Sequence, residues 1–502
     1  MNSGLQPLIR ALLDPLRHPQ PAATVDLVET HASWVLLAGD TAWKIKKPVV
    51  LPFLDYGSLA KREACCRAEL ALNRRLAPEL YLDVVSIGGS DEAPVFGALP
   101  AIEWAVRMRR FDEAGRLDHV AARGELTPEH VQQLAAMLVE FHAAAPAAPE
   151  ASRFGEPAQV LAAARENFVE LRTLLPAADQ PEIETLASWT EAEYGRRTAH
   201  FAARKRAGRI RDGHGDLHLG NLVLFDGRVH VFDCIEFNDD FRWNDPVSEI
   251  AFLWIDLLDH GRAGLAAWLL NSWLEAGGDF DAILLLRYYA VYRAMVRAKI
   301  AGLRARQEDA AQAALEIEGA RGYLELGGRI AVPSAPTLAI TCGLSGSGKT
   351  TASTARLLDP DQACAGCLIR LRSDVERKRL FGLAPLAASG SATDAGIYTP
   401  EANTRTYARL LDLARSLLQA GWPVIVDAAF LRRAERDAFR NLAAELGVDF
   451  GILLTRADPA ELRQRILARR DDASEATVEV LERQLGWFEE PAEVELDLLR
   501  TA

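Results

Sequence analysis

Two short stretches gather the groups that could do chemistry. HGDLHLGN, residues 214–221, packs His, Asp, Asn and Gly into a chain otherwise rich in Ala and Leu. Asp216 is placed to accept a hydrogen bond from a substrate hydroxyl and orient it. Asn221 offers a neutral oxygen suited to Mg²⁺, and Asp233 offers a charged oxygen to the same ion. Mg²⁺ takes a few protein oxygens and fills its shell with phosphate oxygens and water. Phosphoryl transfer needs in-line positioning and charge neutralisation more than covalent help. The second stretch is GLSGSGKT, residues 343–350, which fits the G-x-x-x-x-G-K-[ST] pattern. Its glycines let backbone N–H groups curl around phosphate oxygens, and the N-terminus of a following helix adds partial positive charge. Lys349 is expected to reach the β- and γ-phosphates, and Thr350 to hold Mg²⁺. Gly343, Ser345, Gly346, Ser347, Gly348 and Thr351 complete the expected cradle.

Both stretches need elements to hold them. Residues 24–52 read as two strands and a turn at Gly39-Asp40, and residues 58–76 as a helix with Ser58 as N-cap. Another strand is expected at 102–108. Helices dominate from about residue 127, including 131–142 and 160–175. A hairpin around Asp226-Gly227 joins 223–225 to 229–233, and helices return from 246 to about 326. GGRIAVPSAP, residues 327–336, holds two Gly and two Pro and reads as a linker. Beyond it strands (338–342, 368–371, 424–427 and 450–454) alternate with helices, the pattern of a parallel α/β sheet with crossovers.

HGDLHLGN followed by a hairpin and Asp233 resembles the catalytic loop and metal-binding segment of aminoglycoside phosphotransferase-like kinases. The resemblance implies a protein-kinase fold with a small β-rich lobe and a helical lobe. It implies Asp216 as catalytic base and Asn221 and Asp233 as magnesium ligands. It also requires a lysine on an early strand and a glutamate on the next helix. Lys44 in TAWKIKKP is expected for the first, with Lys46 on the same face as competitor; Glu69 is expected for the second, with Glu63 weaker. Residues 109–111 would meet adenine through their backbone. His214 is expected to brace the loop, His142 to be a packed histidine, and His218 and Glu236 are left open. After Asp233 the chain departs from the antibiotic-resistance enzymes, which leaves the acceptor open.

The C-terminal part resembles small P-loop kinases of the polynucleotide- and gluconate-kinase type, with a parallel-sheet P-loop NTPase fold. That resemblance implies Asp374 in RSDVERKRLFG as base, with Arg377 beside it, and Asp427 at a strand end as magnesium contact. It implies Arg465, Arg469 and Arg470 in RQRILARRDDAS as lid arginines. The whole chain is thus similar to fused bacterial proteins of mixed α/β and α+β class: a kinase-like domain over 1–327, a linker over 328–337 and a P-loop domain over 338–502. The expected function is an ATP- and Mg²⁺-dependent phosphotransferase with two nucleotide sites, the first acting on a hydroxyl of a small molecule. The alternatives are a P-loop half that only binds nucleotide and regulates, or one that phosphorylates nucleic-acid ends.

Composition narrows these readings. The 502 residues call for two or three domains, and a net charge of −13 opposes general binding to nucleic acid or anionic membrane. No apolar run approaches the roughly 18 residues of a spanning helix, and the first residues lack a signal-peptide pattern. The six cysteines suit a reducing cytoplasm. Cys364 and Cys367 have redox or zinc spacing but no second ligand pair, so a structural or incidental role is expected. Arg293 and Arg297 lie one turn apart with Tyr289 near, either as an anion-binding stripe or as part of a charged surface helix with buried tyrosines.

Overall fold

The computed structural model describes residues 6–20, 22–51, 54–332, 335–359, 366–391, 395–468 and 473–492. By internal contact the chain forms two compact units. One comprises residues 1–126, 140–160 and 201–253, and the other 127–139, 161–200 and 254–502.

The first unit is built on a six-stranded antiparallel sheet. Its order is Val25–Glu29, Ser33–Ala38, Thr41–Lys46, Ala101–Arg109, Tyr81–Gly89 and Pro94–Phe96. Alternation drives the register: Trp34, Leu36, Trp43 and Ile45 turn to one side and bury against Leu8, Ile9 and Leu12 of the helix Pro7–Leu12. The intervening strand positions, Val35 and Lys44, pair across the sheet. Near the sheet the helix Leu59–Asn73 packs Cys66 with Leu80, Tyr81 and Val106. Ser58 caps that helix, accepting from the Lys61 N–H at 3.3 Å. Sequence reading finds two strands in residues 24–52 where the sheet takes three, and it misses Tyr81–Gly89. That strand, YLDVVSIGG, lacks a clean alternation. The expected hairpin is present as Leu222–Phe225 paired with Arg228–Val231. Its turn places Asp226 and Gly227 at φ 50° and 73°, the conformation that favours an Asp-Gly pair.

The second unit contains helices and a four-stranded parallel sheet, ordered Ile369–Arg372, Val424–Asp427, Thr337–Cys342, Asp449–Leu454. Val424–Asp427 is buried throughout, as expected for a strand covered on both faces. The two central strands end side by side, at Cys342 and Asp427. This is the edge of a parallel sheet where ligands gather.

The expected linker begins inside a helix. Ala310–Ala331 continues through residues 327–331 because Leu326, Gly327 and Ile330 are buried. A Cβ at Gly327 would lie 3.1 Å from Met295 Cε on the helix Ile283–Ala305. The glycine therefore serves close helix packing, where sequence reading takes it as a breaker. Residues 333 and 334 lie outside the described residues, as does Cys364. Among the described residues no helix is long and apolar enough to cross a membrane.

Candidate active sites

The first site lies within the first unit. Lys44, on Thr41–Lys46, places Nζ 2.8 Å from Glu69 Oε1 and 2.5 Å from Asp233 Oδ1. Lys46, two residues on and on the same face, contacts the other oxygen of Glu69 at 2.7 Å. It also pairs with Glu236 and stands 3.2 Å from the Tyr56 hydroxyl. Exposure separates the two lysines. The Lys44 side chain is 16% exposed and reaches the half-exposed Asp233, whereas that of Lys46 is 1% exposed. Burial disfavours charge on both ammonium groups, but Asp233 and Glu69 around Lys44, and Glu236 and Glu69 around Lys46, outweigh it and hold both well above their ordinary values. Burial would raise the Glu69 carboxyl; the two lysines reverse this and hold it below its usual range. Glu63 only pairs with Arg67 on the exposed side of the same helix.

Lys46 thus belongs to the packing, which gives a first expectation. Lys46→Met strands the Glu236 carboxylate without its ion-pair partner and lowers unfolding free energy by about 3–5 kcal/mol. Urea denaturation checks this; a loss below about 1 kcal/mol would show that Tyr56 alone satisfies Glu236.

The HGDLHLGN loop is held from beneath by a residue that sequence reading missed. Glu249, on the helix Pro246–Asp259, is buried and accepts from the backbone N–H groups of His214 at 2.5 Å and Gly215 at 2.7 Å. Its other oxygen meets His142 Nε2 at 2.7 Å. Burial would raise this carboxyl, yet the bonds from His142 and the loop backbone bring it down to about 2. A Cβ at Gly213 would lie 2.4 Å from Glu249 Oε1, so the carboxylate can reach the loop only past a glycine. His214 is fully buried. Its Nδ1 accepts from the Asp216 N–H at 3.3 Å, and its Nε2 donates to the Phe232 carbonyl at 2.9 Å. Burial lowers its pKa and keeps the ring neutral, in keeping with this pair of roles. The bracing role expected of His214 and the packed role expected of His142 are what the geometry displays.

Above this support stand the polar groups. Asn221 Nδ2 donates to the Asp216 carbonyl at 2.9 Å and to Asp216 Oδ2 at 3.1 Å. Asp233 sits at φ 63°, in the left-handed region that a non-glycine residue rarely adopts. Its N–H donates to the Tyr81 hydroxyl at 3.1 Å. Asn221 and Asp233 offer hard oxygens of the kind Mg²⁺ takes, and the donor set fits that ion. His218 accepts from the Gly220 N–H at 3.1 Å and places Nε2 3.5 Å from Asp216 Oδ2. At the expected adenine contact, the Arg109 N–H donates to the Leu80 carbonyl and the Arg110 N–H to the Asp40 carbonyl. Those two donors are spent within the lobe.

The second site lies wholly within the second unit. Gly343, Gly346 and Gly348 have φ 153°, 84° and 90°. A Cβ at Gly343 would stand 2.6 Å from the Thr455 carbonyl, and one at Gly346 2.9 Å from that of Leu462. Conformation and space both require glycine there. The helix Lys349–Leu358 begins directly after this loop. Lys349 Nζ reaches back to the carbonyls of Gly343 at 3.0 Å and Leu344 at 2.8 Å. Ser345, Ser347, Thr350 and Thr351 line the same cleft as Asp374 and Asp427. Ser347 Oγ bonds Thr455 Oγ1 at 2.7 Å. Asp427 is buried and accepts from Ser353 Oγ at 3.2 Å. Asp374 opens the helix Ser373–Leu380, and Arg377, one turn later, is buried and donates to Asn403 at 3.0 Å and the Ile397 carbonyl at 3.3 Å. Arg465, on Pro459–Ala468, brings its guanidinium within 3.3 Å of the Gly346 carbonyl, over the glycine loop. Arg469 and Arg470 lie outside the described residues. Gln484, unmarked by any motif, accepts from the Ser345 N–H at 2.8 Å.

The arginine stripe is not a surface. Arg293 and Tyr289 are buried, and Arg297 donates to the Tyr323 hydroxyl at 3.1 Å with Asp256 3.7 Å away.

Comparison with known proteins agrees with the two-part reading. The model described as the phosphotransferase enzyme family matches residues 62–294, and that described as an AAA domain matches 338–491. The Mycobacterium tuberculosis protein Rv2004c is 31% identical over 474 residues, covering 92% of this chain and 91% of its own. Mb2027c of Mycobacterium bovis matches to the same extent. Among solved structures, aminoglycoside 2'-phosphotransferase-IIIa is 15% identical with a TM-score of 0.39, covering 64% of this chain and 99% of its own. A choline/ethanolamine kinase family protein of Mesorhizobium loti is 12% identical with a TM-score of 0.39, covering 65% and 98%. The chain belongs to the family of these mycobacterial proteins, and it joins a segment of the phosphotransferase enzyme family to a segment matched by the AAA domain model.

Proposed function

We propose that the chain is a cytoplasmic, ATP- and magnesium-dependent phosphotransferase with two nucleotide sites. The observation that carries this reading is the position of Lys44 Nζ between Glu69 and Asp233, in the same unit as the Asp216–Asn221 loop. In this reading residues 1–327 carry the first reaction and residues 338–502 the second. Lys44, held by Glu69, binds the α- and β-phosphates of ATP. Asp216 accepts a hydrogen bond from the acceptor hydroxyl and takes its proton. The hydroxyl oxygen bonds to the γ-phosphorus, the bond from that phosphorus to the bridging oxygen breaks, and ADP leaves. Asn221 and Asp233 would hold magnesium, which when bound neutralises charge on the phosphate oxygens. The acceptor is a small molecule with a free hydroxyl.

At the second site Gly343 to Thr351 cradle the phosphates, Lys349 and Arg465 bind them, and Asp374 is the base. Thr350 and Asp427 are the magnesium contacts; both offer oxygen to the cleft, which fits that ion. The free thiols of Cys65, Cys66, Cys234, Cys342 and Cys367 support a reducing compartment.

Two nucleotide sites make a stoichiometric prediction. A fluorescent ATP analogue titrates the full chain with about two equivalents and the Lys349→Ala chain with about one. One equivalent in both would remove the P-loop site. ADP release with sugars, amino alcohols, nucleosides and short oligonucleotides as acceptors then assigns each reaction. Stimulation by oligonucleotides that is lost only in Lys349→Ala would make the second site a nucleic-acid end kinase. Binding of two equivalents with no acceptor-stimulated release would make the P-loop half a regulatory module.

A further inference from the structure

Ser345 lies between Gly343 and Gly346, in a loop whose pattern aims backbone N–H groups at phosphate oxygens. Its own N–H is engaged: it donates to Gln484 Oε1 at 2.8 Å. Gln484 belongs to the helix Val478–Trp487 and, with Trp487, lines the same cleft as Ser345. That helix has anchors of its own. One turn before Gln484, Leu481 is fully buried in an apolar cluster with Leu462 and Ile466 of the helix Pro459–Ala468, and Leu344 of the loop packs against it. Glu482 pairs with Arg463 at 2.7 Å between the same two helices. At the other end the Arg432 guanidinium lies over the Trp487 ring, 5.5 Å from its centroid. Just beyond, the Glu489 N–H donates to the Leu431 carbonyl at 2.9 Å, and the Glu489 carboxylate accepts from the Arg433 N–H at 2.6 Å. These contacts present Gln484 to the loop and hold its helix at both ends, so the bond to Ser345 is a small part of what keeps the helix in place.

We infer that Gln484 is a displaceable latch on the phosphate loop: its amide oxygen takes the Ser345 N–H that a nucleotide phosphate takes, and nucleotide binds by displacing it. The inference rests on the reading of the P-loop as a nucleotide site. The physical argument is an exchange of acceptors on one donor. A backbone N–H makes one strong hydrogen bond. A charged phosphate oxygen bonds it roughly twice as strongly as a neutral amide oxygen does, so the phosphate wins the exchange. Its net gain is smaller by the bond that it breaks. Gln484 thereby sets how much nucleotide the loop needs before it fills. The side-chain type matters to this role. A glutamine released from Ser345 leaves no charge facing the phosphates, whereas a carboxylate at the same place would hold the N–H and repel the ligand.

The test uses the full chain carrying Lys44→Met, which weakens the first site, and titrates a fluorescent ATP analogue with magnesium. Gln484→Ala is expected to bind about fivefold more tightly than its parent, because the Ser345 N–H then gives up only water. Gln484→Glu keeps an acceptor on that N–H and adds a negative charge, and it is expected to bind about tenfold more weakly. Damage to the packing of the helix lowers affinity, so a gain in affinity separates displacement from misfolding. Unchanged or weaker binding in Gln484→Ala would make the amide a structural tie or a contact to the nucleotide, and it overturns the inference. Binding by Gln484→Glu as tight as that of Gln484→Ala overturns it too. Lys349→Ala in the same background is the control. If it binds as its parent does, the P-loop reading itself fails; if it loses binding while Gln484→Ala gains none, that reading stands and the latch alone falls.

Discussion

Asp216→Asn slows transfer to a hydroxyl acceptor at the first site by about a thousandfold and leaves nucleotide binding there within about threefold. The split follows from what each group touches. In the proposed reading Lys44 and Asp233 face the phosphates, and the substitution leaves both unchanged. Asparagine keeps the shape of Asp216 and an oxygen for the hydrogen bond to the hydroxyl, but it cannot take the proton. It also keeps a partner for the Asn221 amide, which bonds both the Asp216 carbonyl and its carboxylate. Single-turnover transfer measured beside analogue binding checks the split. A comparable loss of binding would mean that the loop itself has collapsed, and a loss of transfer below about tenfold would remove Asp216 from the role of base.

Glu249→Ala is expected to remove about 3–5 kcal/mol of unfolding free energy. Three donors converge on this carboxylate, two from the loop backbone and one from His142, and alanine leaves all three buried beside a void. The pH dependence has a definite sign. Glu249 lies at about 2 against an ordinary 4.5. Its contribution is therefore fully present above pH 4.5, and it is lost as the pH falls toward 2. Urea denaturation of Glu249→Gln across that window should show a flatter decline than the parent. A variant as steep as the parent would place the acid sensitivity in other carboxylates.

The two motifs could be read from sequence because their chemistry is local. In GLSGSGKT the glycines, the lysine and the helix that follows lie within one loop, and the conformations found at Gly346 and Gly348 are those the residue type announces. HGDLHLGN is legible for the same reason, down to the bracing role of His214. Lys44 and Lys46 could not be separated, because alternate strand residues share a face; only the burial of Lys46 against Glu236 distinguishes them. Glu249 carries no motif, since it acts on partners far along the chain. The same distance hides the helical fate of Gly327, whose reason is the approach of Met295. Sheet edges, buried carboxylates and close helix contacts are settled by residues that meet only after folding.

The interleaving of the two units bears on how the chain is born. Residues 1–126 cannot complete their unit until residue 253 has been made, and residues 127–139 and 161–200 wait for the C-terminal segments before their own unit closes. On a ribosome the first unit can finish while much of the second is still untranslated. Its early helices then present unpaired apolar faces for the time needed to synthesise the rest of the chain, an interval in which chaperone binding would be favoured. A nascent chain stalled shortly after residue 253 would combine a finished first unit with orphaned helices. Those helices find partners only once residues 268–327 have been made, where Trp268 bonds the Pro128 carbonyl and Leu186 packs against Gly327.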